Sequence, residues 1–367
     1  AMTEKQGGSD VRANTSKAHP IGDGGPGAEY ELVGHKWFCS APMSDAFLTL
    51  AQAPGGLSCF LVPRWRPDGT RNPFFIQRLK DKLGDHANAS SEIEYNGTWA
   101  RMVGEEGRGV RTIIEMVHHT RLDCVVAPAA MMRQAVANAS WHVAHRSAFG
   151  KILIDQPLMR AVLADLALES QAATALAMRV ARSFDESAAD HEHARLFSRL
   201  ATPVSKYWLN KRLPELVYEA MECHGGAGFI EEGVMARLFR QSPLNSIWEG
   251  SGNVICLDVL RAMGREPACV DALLSELRAA SGADRRYDAF LAGLADRFGK
   301  PIGEADARVL CEGLGLALQA SLLLRHAPGF VADAFCAGRL ASEGRCYGTL
   351  PAGVDLDALI ERSRVQA

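Results

Sequence analysis

The pattern of apolar and polar positions changes at about residue 105. Before that point, short runs mix β-branched, aromatic and polar residues, and Gly, Pro, Asn and Asp clusters such as PIGDGGPG separate them. Runs of this kind predict strands joined by turns. The predicted strands cover residues 29–38, 46–53, 57–64 and 90–97. We therefore expect an antiparallel β-sandwich or barrel over residues 1–105.

After this point the apolar residues recur every three or four positions, which is the period of an amphipathic helix. This spacing predicts a helical bundle over residues 106–264 and shorter helices in a third, all-helical domain over residues 265–367. The predicted helices cover residues 110–145, 156–189, 192–222, 252–263, 267–277, 289–298 and 309–325. The expected fold class is α+β.

Composition narrows the class of protein. The chain has 367 residues, 47% of them hydrophobic and 23% charged, with a formal net charge of -3, which is typical of a soluble globular protein. Nine cysteines without a C-x-x-C pair favour reduced thiols and a cytoplasmic location. No apolar run is long enough to predict a membrane span. The histidines in HVAH (142–145) and HEH (191–193) have no third ligand nearby, so no metal site is expected.

Short segments along the chain contain residues suited to binding or catalysis. A Gly-Gly-Ser loop can offer N–H groups and a hydroxyl to a phosphate, an arginine can clamp one, and a glycine pair lets backbone approach a ligand. Each segment also has a structural alternative: a turn, core packing, a helix cap or a solvated carboxylate. The segments are TEKQGGSD (3–10), HKWFCSA (35–41), HRSAFGK (145–151), MECHGGAGF (221–229) and NSIWEGSGN (245–253).

Glu249 is the candidate with the clearest chemistry. It follows Ile247 and Trp248 and precedes a Gly-Ser-Gly sequence, and no basic residue is adjacent to it. Burial would raise the pKa of such a carboxyl toward neutrality and make it a usable base. The alternative is a glutamate in a solvated turn.

Taken together and in this order, with Thr120-Arg121 between the second and third segments, these motifs resemble the acyl-CoA dehydrogenase family of flavoproteins. The resemblance covers residues 2 to about 263. Further segments, such as RLKDKLG, HTRLDC and DQPLMR, are similar to a bacterial subgroup linked to the adaptive response to DNA alkylation. Members of the family carry a helical domain before the TEKQGGSD position, and we expect that domain to be missing here.

The resemblance implies FAD as cofactor and an acyl-CoA or related thioester as substrate. Glu249 would remove the α-proton while a hydride passes from the β-carbon to the flavin, and Arg121 would contact substrate. Arg146 and Phe149 would reach FAD, either that of their own subunit or that of a neighbouring subunit in a homotetramer. The residues implied to bind FAD are Met2, Thr3, Gly8, Ser9, Trp37, Phe38, Ser40, Arg146, Phe149, Glu222, Gly225, Gly226, Ser251, Gly252 and Asn253.

Two other interpretations stay open at this stage. The chain could be a DNA-associated flavoprotein that protects against alkylation and has a weak or vestigial dehydrogenase site. Residues 265–367 contain a single lysine, Lys300, and no basic stripe, which argues against DNA binding. The chain could also be an inactive fragment, because the family's first helical domain is expected to be absent.

Overall fold

The computed structural model describes residues 1–298, 302–342 and 344–364, so that Lys300 lies outside the described residues. The chain divides into two compact units, Ala1–Thr120 and Arg121–Ala367.

The first unit is built on a six-stranded sheet. Its strand order is β2-β1-β3-β4-β6-β5, and β2 also pairs with β6, which closes five of the strands into a barrel and leaves β5 on its outside. All four predicted strands are present. The strands are Lys17–Pro20 (β1), Glu29–Cys39 (β2), Ala46–Ala53 (β3), Gly56–Pro63 (β4), Phe75–Leu79 (β5) and Ser91–Val103 (β6).

The sheet is antiparallel, as expected, except at one pairing. β1 and β3 run parallel and meet at Lys17 and Gln52, whereas the other pairings are antiparallel. A closed ring of five strands cannot alternate direction throughout, so one neighbouring pair must be parallel. The short strand β1 accommodates that mismatch.

The barrel interior follows from the alternation of buried and accessible residues along the strands. In β6, buried residues occupy alternate positions over most of the strand. Tyr30 and Phe60 are buried and pack edge to face, with ring centroids 5.1 Å apart. A smaller cluster of Leu50, Cys59 and Ile113 packs the first turns of the following helix onto the barrel within this unit.

The second unit is helical apart from one hairpin. The predicted helices are all present, with ends within a few residues of those expected. Three further short helices were not predicted: Val234–Gln241, Gly329–Phe335 and Leu356–Ser363. The helices are Gly109–His145 (α1, which begins in the first unit), Pro157–Ala188 (α2), Glu192–Glu222 (α3), Val234–Gln241 (α4), Gly252–Arg265 (α5), Ala268–Arg278 (α6), Arg285–Phe298 (α7), Ala307–His326 (α8), Gly329–Phe335 (α9) and Leu356–Ser363 (α10), and the hairpin strands are Ser147–Ala148 (β7) and Lys151–Ile152 (β8).

The helices after residue 265 share one hydrophobic core with α2 and α3. Trp208 of α3 donates from Nε1 to Gln319 Oε1 of α8 at 2.7 Å, and both residues are buried. Arg339 forms ion pairs with Asp165 and Glu169 of α2. The described C-terminal helices are therefore packed into the second unit, while the predicted domain boundaries at residues 105 and 264 stay predictions.

Two helices among the described residues are long and apolar enough to satisfy the criteria for a membrane span, Pro157–Ala188 and Glu304–His326. Most of each segment is buried inside the protein. Core helices of globular proteins have the same length and composition, so this is weak evidence for a membrane.

Candidate active site

The N-terminal TEKQGGSD loop is held to the barrel by a buried ion pair. Glu4 Oε1 contacts Lys36 Nζ of β2 at 2.8 Å, and neither side chain is exposed to solvent. Glu4 Oε2 also accepts a hydrogen bond from the Thr15 backbone N–H at 2.6 Å. Lys36 donates a further hydrogen bond to the carbonyl of Leu50 at 2.7 Å. The loop is thus tied to several strands through one carboxylate.

The surroundings of Glu4 also set its charge. Burial by itself raises the pKa of the carboxyl, but the hydrogen bond from Lys36 and its positive charge, with further bonds from Thr15 and Ser16, lower that pKa to about 2. Glu4 is therefore ionised at neutral pH, and the loop keeps its anchor.

The candidates of the first unit lie along this loop and the end of β2. Trp37 donates its backbone N–H to the carbonyl of Thr3 at 2.8 Å, which joins the two motifs directly. A Cβ added to Gly8 would lie 2.5 Å from Thr3 Oγ1, so only glycine fits there without a shift. Met2, Thr3 and Trp37 are half-buried, and Gly8, Ser9, Phe38 and Ser40 are exposed.

Lys80, which no sequence pattern singled out, lies over the rings of Trp37 and Phe38. Its Nζ lies 3.4 Å from the ring centroid of Trp37 and 4.6 Å from that of Phe38, and it also contacts Glu92 Oε1 at 2.7 Å. A cation over an indole face is attracted by the ring quadrupole. Lys80 therefore fixes the orientation of Trp37, one of the residues predicted to flank a flat ring.

In the second unit, Glu249 adopts a backbone conformation that is rare for its residue type. Its φ is 56°, in the left-handed region. Arg121 Nε donates to the Glu249 carbonyl at 3.1 Å, and Arg121 Nη1 contacts Asp258 Oδ2 of α5 at 2.7 Å. The buried Arg121 is thus held by α5 and in turn holds the backbone of Glu249.

A second buried cation holds the next peptide. Lys206 of α3 is 2% exposed, and its Nζ donates to the carbonyls of Gly250 and Asn245, each at 2.8 Å. Burial lowers the pKa of Lys206 to about 8. Trp248 donates from Nε1 to Asn245 Oδ1 at 2.6 Å, which braces the same turn. The carbonyls of Glu249 and Gly250 are therefore both fixed by buried side chains.

The fold brings basic residues to Glu249 although none is adjacent to it in sequence. Glu249 itself is half-buried, and Ile247 is 65% exposed. The dry pocket walled by Ile247 and Trp248 stays a prediction.

The residues after Glu249 form the entry of α5. Ser251 is the N-cap residue, and a Cβ on Gly252 would lie 3.2 Å from Lys211 Cε. Asn253 is exposed and its Oδ1 accepts from Arg308 Nε at 2.8 Å. Arg308 belongs to α8, so a residue of the C-terminal segment contacts a predicted cofactor residue.

The HRSAFGK segment forms a tight hairpin. β7 and β8 pair antiparallel, and the two residues between them, Phe149 and Gly150, have φ of 53° and 77°. Positive φ at both positions is typical of a type I′ turn, whose twist matches that of the strands. Arg146 is exposed at the base of the hairpin, and Phe149 at its tip is 98% exposed.

The MECHGGAGF segment follows the end of α3. Glu222 is exposed and accepts a hydrogen bond from Tyr218 Oη at 3.2 Å. Gly225 has φ of 58°, and a Cβ on Gly225 or Gly226 would meet no atom within 4 Å, so open space lies beside both. The ring of His224 lies 4.7 Å from that of His142, centroid to centroid, which joins this segment to the end of α1.

Several residues important to this geometry were missed from the sequence: Glu4, Lys36, Lys80, Lys206, Asp258 and Arg308. A signal existed for the buried cations, because Lys36 is the one Asp, Glu, Lys or Arg within residues 32–44 and Lys206 is the one within residues 200–210. Their partners are distant in the chain and have no local signature.

Among the described residues, no group of three or more His, Cys, Asp and Glu side chains is arranged to hold a metal ion. The nine cysteines are free thiols, and all but Cys346 are buried.

This combination of a strand barrel and a helical unit carrying the Glu249 turn matches known protein families. Residues 1–98 match the acyl-CoA dehydrogenase middle domain, and residues 107–264 match the acyl-CoA dehydrogenase C-terminal domain. The chain belongs to the acyl-CoA dehydrogenase family.

The most informative relative is bacterial. The chain is 46% identical to the AidB protein of Escherichia coli K12 over 343 residues, a match that covers 94% of this chain and 62% of AidB.

Solved structures share the fold. The Caenorhabditis elegans protein ACDH-11, solved in complex with C11-CoA, is 29% identical with a TM-score of 0.82, over 94% of this chain and 64% of that one. A Bacillus anthracis acyl-CoA dehydrogenase complexed with FAD has the same fold at 19% identity and a TM-score of 0.73, over 92% of this chain and 66% of that one. The chain thus spans somewhat less than two thirds of the length of the relatives it matches.

Proposed function

We propose that this chain forms the flavin and acyl site of an acyl-CoA dehydrogenase-type oxidoreductase similar to AidB, with Glu249 as the base that removes the α-proton of an acyl thioester. The main support for this proposal is the left-handed backbone conformation of Glu249, which Arg121 stabilises by a hydrogen bond to the Glu249 carbonyl. A non-glycine residue in this region costs on the order of 1 kcal/mol, and such strain is concentrated at functional sites.

The contacts around the turn give Glu249 a fixed position. Arg121 donates to the carbonyl of Glu249 and Lys206 donates to that of Gly250. The backbone that carries the Glu249 side chain therefore cannot rotate freely. A base must lie within hydrogen-bond reach of its proton, and this restraint supplies the geometry. We assign Arg121 to this positioning task, while its contact with substrate stays a prediction.

The residues present fit FAD. Arg146 is exposed, open space lies beside Gly225 and Gly226, and the Thr3–Ser9 loop offers hydroxyl and N–H donors. Such groups suit a pyrophosphate and a nucleotide ribose. FAD, when bound, accepts the hydride that leaves the β-carbon of the substrate. The protein supplies orientation and a base.

The hairpin supports an oligomer. A phenylalanine with 98% of its surface in water is unfavourable in a free subunit, and rigid, exposed aromatic side chains are typical of interfaces. We propose that Phe149 and Arg146 serve a neighbouring subunit in a homo-oligomer.

The direct test is flavin retention followed by substrate titration. The protein is incubated with FAD, passed through a desalting column and scanned in the visible range. Anaerobic titration with short branched acyl-CoAs should then bleach the flavin band. A folded protein that retains no FAD would contradict the proposal. If the protein retains FAD but no acyl-CoA bleaches it, the protein binds the cofactor and has no dehydrogenase activity. Salt-dependent binding of duplex DNA by such a protein would favour the alternative of a protective flavoprotein.

A further inference from the structure

Two histidines that the site described above does not use lie together beside Arg146. His142 is on the last turn of α1 and His224 follows the end of α3. Their ring centroids are 4.7 Å apart with an interplanar angle of 31°. Arg146 is one helical turn beyond His142, and its backbone N–H donates to the His142 carbonyl at 2.9 Å. Two helix ends thus place two imidazole rings together, next to the backbone of Arg146.

The protonation of these rings is partly fixed by their contacts. His224 Nδ1 lies 2.8 Å from the Ala220 carbonyl, and because a carbonyl only accepts, Nδ1 carries the proton and Nε2 is left to bind another group. His142 and His224 are both half-buried, so their rings remain accessible from solvent. Burial, the charge on His224 and the charge on Arg146 lower the pKa of His142 below its ordinary value.

The other charged groups nearby are acidic residues of α3 and a histidine of α1. Glu222 is bonded to Tyr218, and burial raises the pKa of Glu219. His145 Nδ1 lies 2.7 Å from the Trp141 carbonyl, and its ring stacks on Trp141 instead of His224. The ring pair next to the Arg146 backbone is therefore His142 and His224.

We propose that His142 and His224 act with Arg146 as one anion site for the pyrophosphate of a nucleotide ligand, so that this chain binds the ligand more tightly as the pH falls. The inference rests on the proposed function and extends it, because it adds two residues and a pH dependence to the cofactor site. The ligand is FAD if the site serves the flavin and CoA if it serves the substrate, since both carry a pyrophosphate.

The sign of the effect follows from linkage. A bound dianion stabilises the protonated form of an imidazole beside it, so binding takes up protons. Affinity therefore rises as the pH falls through the pKa values of the complex and levels off below those of the free protein. A rise of one pKa unit in one histidine gives about a tenfold gain in affinity.

The experiment measures FAD affinity by quenching of flavin fluorescence between about pH 5.5 and about pH 8.5, a window around the ordinary histidine pKa. The variants are His142→Gln, His224→Gln and the double variant. His191→Gln is the matched control, since His191 is an exposed histidine at the opposite end of α3. Thermal unfolding of every variant verifies that it is folded.

Wild type and His191→Gln should bind FAD about tenfold more tightly at the acidic end, and the double variant should lose most of that dependence. Affinities for FAD and CoA that both stay constant with pH, or the same pH dependence in the double variant, would overturn the inference while leaving the proposed function intact. Absence of FAD binding at every pH would overturn the proposed function and this inference with it. A parallel titration with CoA decides the source of the pyrophosphate: the pH dependence in CoA but not in FAD assigns the site to substrate, and the reverse assigns it to the flavin.

Discussion

Arg121 donates from Nε to the backbone carbonyl of Glu249 at 3.1 Å, across 128 positions of the chain. The same guanidinium contacts Asp258, which also contacts Arg199. A carboxylate on α5 therefore orients the arginine that restrains the candidate base. This relay lies wholly within the second unit and depends on buried charge.

Replacing Asp258 by Asn should destabilise the protein strongly. Burial raises the pKa of Asp258, but the charges of Arg199 and Arg121 outweigh burial and lower it, so the residue is ionised at neutral pH. Removing that charge leaves Arg121 buried without its counter-ion, a change that typically costs about 3 to 5 kcal/mol. Urea unfolding measures the loss. Glu361→Gln, which breaks the exposed pair with Arg364, is the control and should cost less than about 1 kcal/mol. Equal effects of the two substitutions would contradict the role of Asp258.

Glu4→Gln should destabilise the protein in a way that depends on pH. The folded-state pKa of Glu4 is about 2, below its ordinary value of 4.5, so its ionised form contributes stability above pH 4.5 that is lost as the pH falls toward 2. The lowering corresponds to about 3 kcal/mol. Unfolding free energies of wild type and Glu4→Gln should differ most at neutral pH and converge as the pH falls from 4.5 toward 2. A constant difference across this range would show that Glu4 does not anchor the loop as an anion.

Lys206→Met should change how the free energy of unfolding depends on pH in the alkaline range. The folded-state pKa of Lys206 is about 8, against an ordinary 10.5, so burying the cation costs stability below pH 8. That cost, about 3 kcal/mol, is relieved as the pH rises from 8 toward 10.5. Wild-type stability relative to Lys206→Met should therefore increase over this window. Parallel profiles for the two proteins would mean that Lys206 keeps an ordinary pKa.

Arg308→Ala should weaken FAD binding with little effect on folding. Arg308 is exposed and donates a hydrogen bond to Asn253 Oδ1. Loss of Arg308 would therefore let the Asn253 side chain move from its position. A hydrogen bond of this kind contributes about 1 kcal/mol, or roughly a fivefold change in affinity. The check is a double-mutant cycle with Asn253→Ala, read by flavin fluorescence and by thermal unfolding. Additive effects of the two substitutions would show that Arg308 does not act through Asn253.

The sequence predicted the secondary structure well because long amphipathic helices and alternating strands have clear periods. It missed β1, which has only four residues, and β5, Phe75–Leu79, because every residue of β5 is exposed and no alternation marks it. It missed α4, α9 and α10 because seven or eight residues give too short a window for a helical period. The parallel contact of β1 and β3 follows from closing a five-strand ring, which no local pattern encodes.

The candidate site was predictable at the level of motifs and less so at the level of contacts. Glu249, Gly225 and Phe149 lie in short segments with recognisable composition. The positive φ of Glu249 and Phe149 was not foreseen, since neither residue type favours it. Partners such as Arg121 and Glu249 meet only because tertiary packing brings distant helices together. Sequence spacing carries no information on which buried cation will hold which carbonyl.

The most direct test of the central claim compares wild type with Glu249→Gln in anaerobic titrations by a short branched acyl-CoA. Both proteins should retain equal FAD after desalting, because Gln preserves the turn and the carbonyl held by Arg121. Wild type should bleach the flavin band on adding the acyl-CoA, whereas Glu249→Gln should bleach at least about a hundredfold more slowly, the usual scale for losing a general base. Equal bleaching rates in the two proteins would remove Glu249 from the role of base.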